Sequence, residues 1–257
     1  MADPAASVPL DVLAFGAHPD DVELCAGGVM CLLAAQGART GIVDLTRGEL
    51  GTRGTADDRD REAADAAQIL GLVARENLGL PDGDLAPTPD RQRAVVRALR
   101  TYRPHIVLLN APVDRHPDHG NAARLVGEAI FASGLAKVET TGSEGHPQAP
   151  WRPHHALHYM QSLDFEPTFV VDVSSVWDQR MEALRAYRSQ FYTGEASADA
   201  GPQTFISNPA FMAWVDARAR TWGYRVGATH GEPLLYRHGP VGVTDLMAVL
   251  GTERPFR

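Results

Sequence analysis

Two near-copies of one tetrapeptide stand out in the chain, His18-Pro19-Asp20-Asp21 and His116-Pro117-Asp118-His119. Imidazole nitrogens and carboxylate oxygens are donors that zinc favours, and a catalytic site takes three of them and keeps a position open. His18 and Asp21 are three apart, as are His116 and His119. On a turn entering a helix, each pair can therefore face one side. Pro19 and Pro117 fix φ within each turn and stiffen the donors. One isolated His-Pro-Asp is most simply a turn with a helix cap. Two copies, one richer in Asp and one richer in His, point instead to a shared metal ion with carboxylates nearby for proton transfer. Hydrolysis by a metal-activated water is the chemistry such a set performs.

The elements around the copies must make them converge. Each follows a short apolar run, Val12-Leu13-Ala14-Phe15 or Ile106-Val107-Leu108-Leu109, and each precedes a helical stretch. In an open parallel sheet, ligands bind in the crevice at the carboxyl ends of the strands. Apolar runs predict strands over 11–16, 40–45, 76–78, 105–110, 157–163 and 168–173. Helices are expected over 22–36, 57–70, 90–102, 120–133, 175–188 and 209–222. Gly37 and Gly71 act as stop signals, Ser174 as an N-cap, and Pro209 opens the last helix. Residues 140–153 and 192–201 read as loops. The alternation predicts an α/β fold, Rossmann-like, with a mostly parallel sheet and helices on both faces. No linker divides the chain, so residues 1–257 read as one domain with the C-terminal part packed on the same sheet.

Composition narrows the function classes. The 257 residues are 44% hydrophobic and 22% charged, ordinary for a water-soluble globular chain. A net charge of −8 argues against a nucleic-acid partner, which needs a clustered basic surface. No stretch approaches the roughly 20 apolar residues of a membrane span. The start, Met1 to Ser7, lacks the basic and apolar regions of a secretory signal, so a cytoplasmic location is expected. Cys25 and Cys31 are six apart in one expected helix, about 9 Å between Cα atoms, too far for an unstrained disulfide. They read as small core residues.

The paired motifs resemble those of the LmbE/PIG-L-like family of zinc-dependent N-acetylglucosamine deacetylases, and within it the bacillithiol-biosynthesis deacetylases. The resemblance extends through Leu13-Ala14-Phe15-Gly16-Ala17, Asp44-Leu45-Thr46 with its Gly-rich loop, and Asp114-Arg115-His116-Pro117-Asp118-His119. It continues through Glu128-Ala129-Ile130-Phe131, Tyr187-Arg188-Ser189-Gln190-Phe191 and Val226-Gly227. It implies that His18, Asp21 and His119 hold the metal, zinc or alternatively ferrous iron, and that Asp20 is the general base. His116 would stabilise the tetrahedral intermediate or protonate the leaving amine, with Asp118 orienting it. Arg53 would grip the substrate. Where the family's pattern places an arginine before the strand near Leu157, this chain has His154-His155. The implied substrate is a small N-acetyl amino-sugar conjugate, N-acetylglucosaminyl-malate first, with an inositol conjugate or chitooligosaccharide as alternatives. A homo-oligomer, hexameric in some relatives, is likewise implied.

Other residues are assigned plainer roles. His105, His158 and His230 read as packing or surface residues, His146 and His238 as solvated, and Arg47 and Glu49 as loop anchors. Trp214 and Trp222 fit a helix packing face better than a sugar platform. Gly27-Gly28 permits close approach of a backbone or ligand. A dinucleotide-binding protein is excluded because the first strand leads into Gly16-Ala17-His18-Pro19 instead of G-x-G-x-x-G. No G-x-S-x-G supports a serine hydrolase. A non-catalytic zinc module would normally be closed by four ligands, usually several of them Cys, and neither cysteine is placed for that.

Overall fold

The computed structural model describes residues 9–193 and 202–245, together with 247 and 249. Seven strands form one continuous sheet: β1 (Val12–Gly16), β2 (Thr40–Thr46), β3 (Ala74–Leu80), β4 (Ile106–Leu109), β5 (His155–Tyr159), β6 (Phe169–Asp172) and β7 (Gly231–Tyr236). Their order is β3-β2-β1-β4-β5-β7-β6. The first five strands pair in parallel, and β7 lies antiparallel between β5 and β6. β1 and β2 are buried at every position, which is why they read as unbroken apolar runs. The chain moves from β1 to β2 on one side and later returns to place β4 on the other. The crevice between β1 and β4 is thus a topological switch point. Ala14 pairs with Leu108, so the two tetrapeptides leave the sheet at one edge.

Helices cover both faces. α1 (Asp21–Ala35), α2 (Ala56–Leu70), α5 (Trp177–Arg185) and α6 (Pro209–Val226) pack on one, around Val22, Met30, Trp177 and Leu184. α3 (Pro89–Tyr102) and α4 (Pro117–Ser133) pack on the other, around Val95, Leu99 and Val126. Thr55 and Asp58 form a reciprocal capping box at the start of α2, and Gly71 closes it with φ 72°. Both cysteines are buried and free. No helix among the described residues is long and apolar enough to cross a membrane.

Three elements depart from the sequence reading, and one expected loop is largely outside the described residues. α4 starts at Pro117, three residues before the expected position, so the second tetrapeptide forms its first turn. Ser174 sits in a short 3₁₀ turn, and its hydroxyl joins Asp172 and the Thr229 and His230 amides in place of capping a helix. The loop expected over 192–201 lies outside the described residues from 194 onwards. β7 was not expected at all. It begins Gly231-Glu232-Pro233, without an apolar run, yet its first four residues are buried.

Glu232 supplies the reason. Its carboxylate accepts hydrogen bonds from the Gly28 and Val29 amides in the middle of α1, at 2.9 and 2.7 Å, while Arg180 reaches the Leu24 carbonyl. These side chains press against the helix backbone where Gly27 and Gly28 leave room. A Cβ on Gly28 would stand 2.8 Å from Val173 Cβ. Gly28→Ala is therefore expected to cost about 2 kcal/mol through overpacking. At about 2–4 °C per kcal/mol for a chain of this size, thermal melting would detect the shift. An unchanged melting temperature would contradict the close packing.

Candidate active site

The turn after β1 delivers His18, Asp20 and Asp21. Asp20 takes φ 112°, a left-handed conformation, and makes no side-chain cap to α1. Its carboxylate is buried and lies 3.4 Å from Arg59 Nη1, which also donates to the Pro19 carbonyl. Burial pushes Asp20 up to about 7, against the pull of Arg59. Asp21 is held from four directions. Its Oδ2 accepts from the His18 amide and Asn110 Nδ2, each at 3.1 Å, and its Oδ1 meets Gln161 Nε2 at 3.3 Å and His119 Nε2 at 3.1 Å. Burial would raise this carboxyl, yet His119 and His18 hold it well below the usual range.

The first turn of α4 delivers His116, Asp118 and His119. His119 Nδ1 lies 2.6 Å from Asp114 Oδ2, so its Nε2 faces Asp21. His116 caps the helix: its Nδ1 accepts the Asp118 amide at 3.3 Å. A neutral imidazole that accepts through Nδ1 carries its proton on Nε2. Burial, with His18 and His119 nearby, lowers the His116 pKa and favours that neutral form. The His18 ring centroid is 4.8 Å from that of His116 and 5.7 Å from that of His119.

Two groups among the described residues have the spacing for a metal, His18 with His116 and His119, and His18 with Asp82 and Asp118. Asp21 adjoins the first group, since its oxygens lie 3.8 Å from His18 Nδ1 and 3.1 Å from His119 Nε2. Asp118 Oδ1 is buried with no hydrogen-bond partner. Clustered imidazoles, buried carboxylates and an orphaned carboxylate oxygen fit a divalent cation of the zinc or ferrous kind. The cluster forms one end of a cleft of about 550 Å³, within the usual range for a small-molecule site.

A family profile described as PIG-L, GlcNAc-PI de-N-acetylase, matches residues 13–130. A diacetylchitobiose deacetylase of Thermococcus kodakarensis is 30% identical over 190 residues, covering 70% of each chain. The chain belongs to the PIG-L de-N-acetylase family. Membership places it among hydrolases of N-acetyl amides. A 1D-myo-inositol 2-acetamido-2-deoxy-α-D-glucopyranoside deacetylase 2 of Saccharopolyspora erythraea is 30% identical over 76% of this chain and 88% of its own length. A probable N-acetyl-α-D-glucosaminyl L-malate deacetylase 2 of Bacillus cereus is 27% identical over 83% and 97%. Among solved structures, the conserved protein TT1542 of Thermus thermophilus superposes with a TM-score of 0.80 at 38% identity, over 92% of this chain and 98% of that one. Relatives named for three aglycones leave the family secure and the bacillithiol branch unresolved.

Within this family site, several side chains sit apart from where the sequence put them. Arg53 donates from Nε to the Ser189 carbonyl at 2.8 Å and from Nη1 to that of Pro202 at 3.3 Å. It does not line the cleft, whereas Arg59, Arg115 and Arg218 do. The Asp118 carboxylate is engaged by the loop after β3, while its amide donates to His116 Nδ1. At the second position of α4 the carboxylate reaches the Gly83 amide, at 2.8 Å, and lies 3.4 Å from His18 Nε2. Trp214 is 40% exposed and lines the cleft, while Trp222 is buried as expected. Asp82 was missed, since Leu80-Pro81-Asp82-Gly83 reads as an ordinary turn. Its Oδ1 lies 3.1 Å from His18 Nε2 and its Oδ2 accepts from the Leu50 amide.

Without metal, burial opposes charge on His18, yet Asp118, Asp82 and Asp21 lift it to about 10. His119 is similarly lifted to about 9 by Asp21 and Asp114. Both rings are therefore protonated in the metal-free protein at pH 7 and must be neutral to ligate. Loading zinc at pH 7 is expected to release about two protons, falling towards none above pH 10. Calorimetry in two buffers of different ionisation enthalpy measures this number. Release near zero at pH 7 would show that the two rings are already neutral in the metal-free protein, against the lifted pKa values.

Proposed function

We propose that the chain is a metal-dependent N-deacetylase of a small N-acetylglucosaminide, with N-acetylglucosaminyl-malate the first substrate to test. The observation that carries the reading is the meeting of His18, Asp21 and His119 with Asp20 and His116 at the end of one cleft. In this reading His18, Asp21 and His119 hold the metal. A divalent ion there supplies Lewis acidity, polarising the acyl carbonyl and making water nucleophilic near neutral pH. Asp20 is placed beside the donors and is lifted by burial towards the pKa of an effective base, so it takes the proton of the attacking water. His116 presents an Nε2–H as a donor to the oxygen on which charge develops. That tautomer also argues against His116 as an Nε2 ligand, because the lone pair is occupied by the proton.

Arg115 lines the cleft and is exposed, a position suited to an anionic aglycone such as malate. It supports the malate conjugate over the neutral inositol and chitobiose substrates named for the relatives. The same reading describes a cytoplasmic homo-oligomer acting on a diffusible conjugate.

The test is amine release by the purified protein, stripped of metal and reloaded with zinc or, anaerobically, iron. N-acetylglucosaminyl-malate, N-acetylglucosaminyl-inositol and diacetylchitobiose are compared. Metal-dependent turnover, highest on the malate conjugate, is the expected result. Preference for another conjugate would keep the deacetylase and discard malate. No release from any of them would overturn the reading.

A further inference from the structure

The cleft is not uniformly polar. The loops at the strand ends bring polar groups to it, Asp82, Arg115 and the backbones of Gly48 and Gly51, beside Leu50 and Leu163, and α2 adds Arg59. Between Asp21 of α1 and Arg218 of α6, the lining from these helices and from the chain before α6 is apolar: Leu24, Cys25, Phe191, Ile206, Phe211 and Trp214. Leu24 and Cys25 stand three and four residues beyond Asp21, so they share its helix face one turn away. The aromatic part is continuous. Phe191 and Phe211 are stacked with centroids 6.1 Å apart, and Phe211 is 5.3 Å from Trp214. Arg218 marks the outer end, its guanidinium 5.1 Å over the Trp214 ring and 3.3 Å from Asp164. An apolar recess therefore begins beside the metal-ligand candidates and runs outward.

An amide has two arms, and each must go somewhere. An amino sugar on the nitrogen carries hydroxyls that need polar partners, which the strand-end loops provide. The acyl carbon and the amide nitrogen both leave the reacting carbonyl beside Asp20 and Asp21, so with the sugar on the polar loops the acyl arm lies along the other side. A methyl group covers little of Leu24, Ile206 and the 40% exposed Trp214, and the rest of that surface would stay in water. We propose that this recess is an acyl subsite for straight N-acyl chains longer than acetyl, of about four to six carbons. The proposal rests on the N-deacylase reading of the same site and deepens its substrate class. Burial of each methylene is worth up to about 4-fold.

Zinc-loaded protein is assayed on N-acetyl-, N-butanoyl- and N-hexanoyl-glucosamine. kcat/KM is expected to rise at least about 10-fold from acetyl to hexanoyl. Equal or falling values, with the acetyl compound still cleaved, would overturn the acyl subsite and leave the deacetylase intact. No cleavage of any of the three would overturn both. Ile206→Trp, at a half-buried lining position, narrows the recess and should return the hexanoyl-to-acetyl ratio towards one. A ratio unchanged in a folded variant would also count against the subsite. Product inhibition needs no variant: hexanoate should inhibit about 10-fold more tightly than acetate, and equal inhibition would place the apolar wall on the aglycone side.

Discussion

Asp20→Asn is expected to keep its metal and lose on the order of 10³-fold in kcat, within the 10²- to 10⁴-fold usual for a positioned base. The substitution is chosen because it changes little else. Asparagine tolerates the left-handed backbone that Asp20 occupies at φ 112°, so the turn that carries His18 and Asp21 should persist. The amide oxygen can still face Arg59, which lies 3.4 Å from Asp20 Oδ2. What disappears is a group able to accept a proton. KM should move little, because the loss lies in the transition state. Metal content by mass spectrometry and kcat are read together. Turnover within 10-fold of the parent enzyme, with metal in place, would remove Asp20 from the base role.

Much of this arrangement was legible because its signals are local. A tetrapeptide after an apolar run defines a strand, a turn and a helix start within about ten residues. Two such units at neighbouring strands fix where their side chains meet. The illegible parts depend on long-range packing. Asp82 joins His18 across sixty-four positions, and only the parallel pairing of β3 with β2 brings its loop to the site. β7 opens without an apolar run because its Glu232 is matched to two amides of α1, a partnership invisible in a local window. Arg53 and Arg59 lie in one stretch, yet the helical position of Arg59 turns it inward to Pro19 and Asp20 while Arg53 is tied to Ser189. Trp214 and Trp222 belong to one helix. Only the second is covered, because the first projects into the cleft.

His119 and Asp114 make a graded test of the metal assignment. His119→Ala removes an imidazole whose Nε2 lies 3.1 Å from Asp21 Oδ1, and it leaves that buried carboxylate without its strongest cationic neighbour. Zinc affinity is expected to fall by more than about 100-fold, beyond the 10- to 100-fold usual when an outer partner is lost. Asp114→Asn is such an outer change. Asp114 holds His119 Nδ1 at 2.6 Å and is itself fixed by the Leu163 amide at 2.9 Å, so it sets which nitrogen of His119 faces inward. Its replacement keeps the ligand and loosens its orientation, so affinity should fall about 10- to 100-fold. Competition with a chromophoric chelator at fixed pH ranks the three proteins. The order parent, Asp114→Asn, His119→Ala follows from ligation through Nε2 with Asp114 behind it. Full zinc occupancy in His119→Ala after dialysis would show that the ion is held elsewhere, with the group formed by His18, Asp82 and Asp118 the next to mutate.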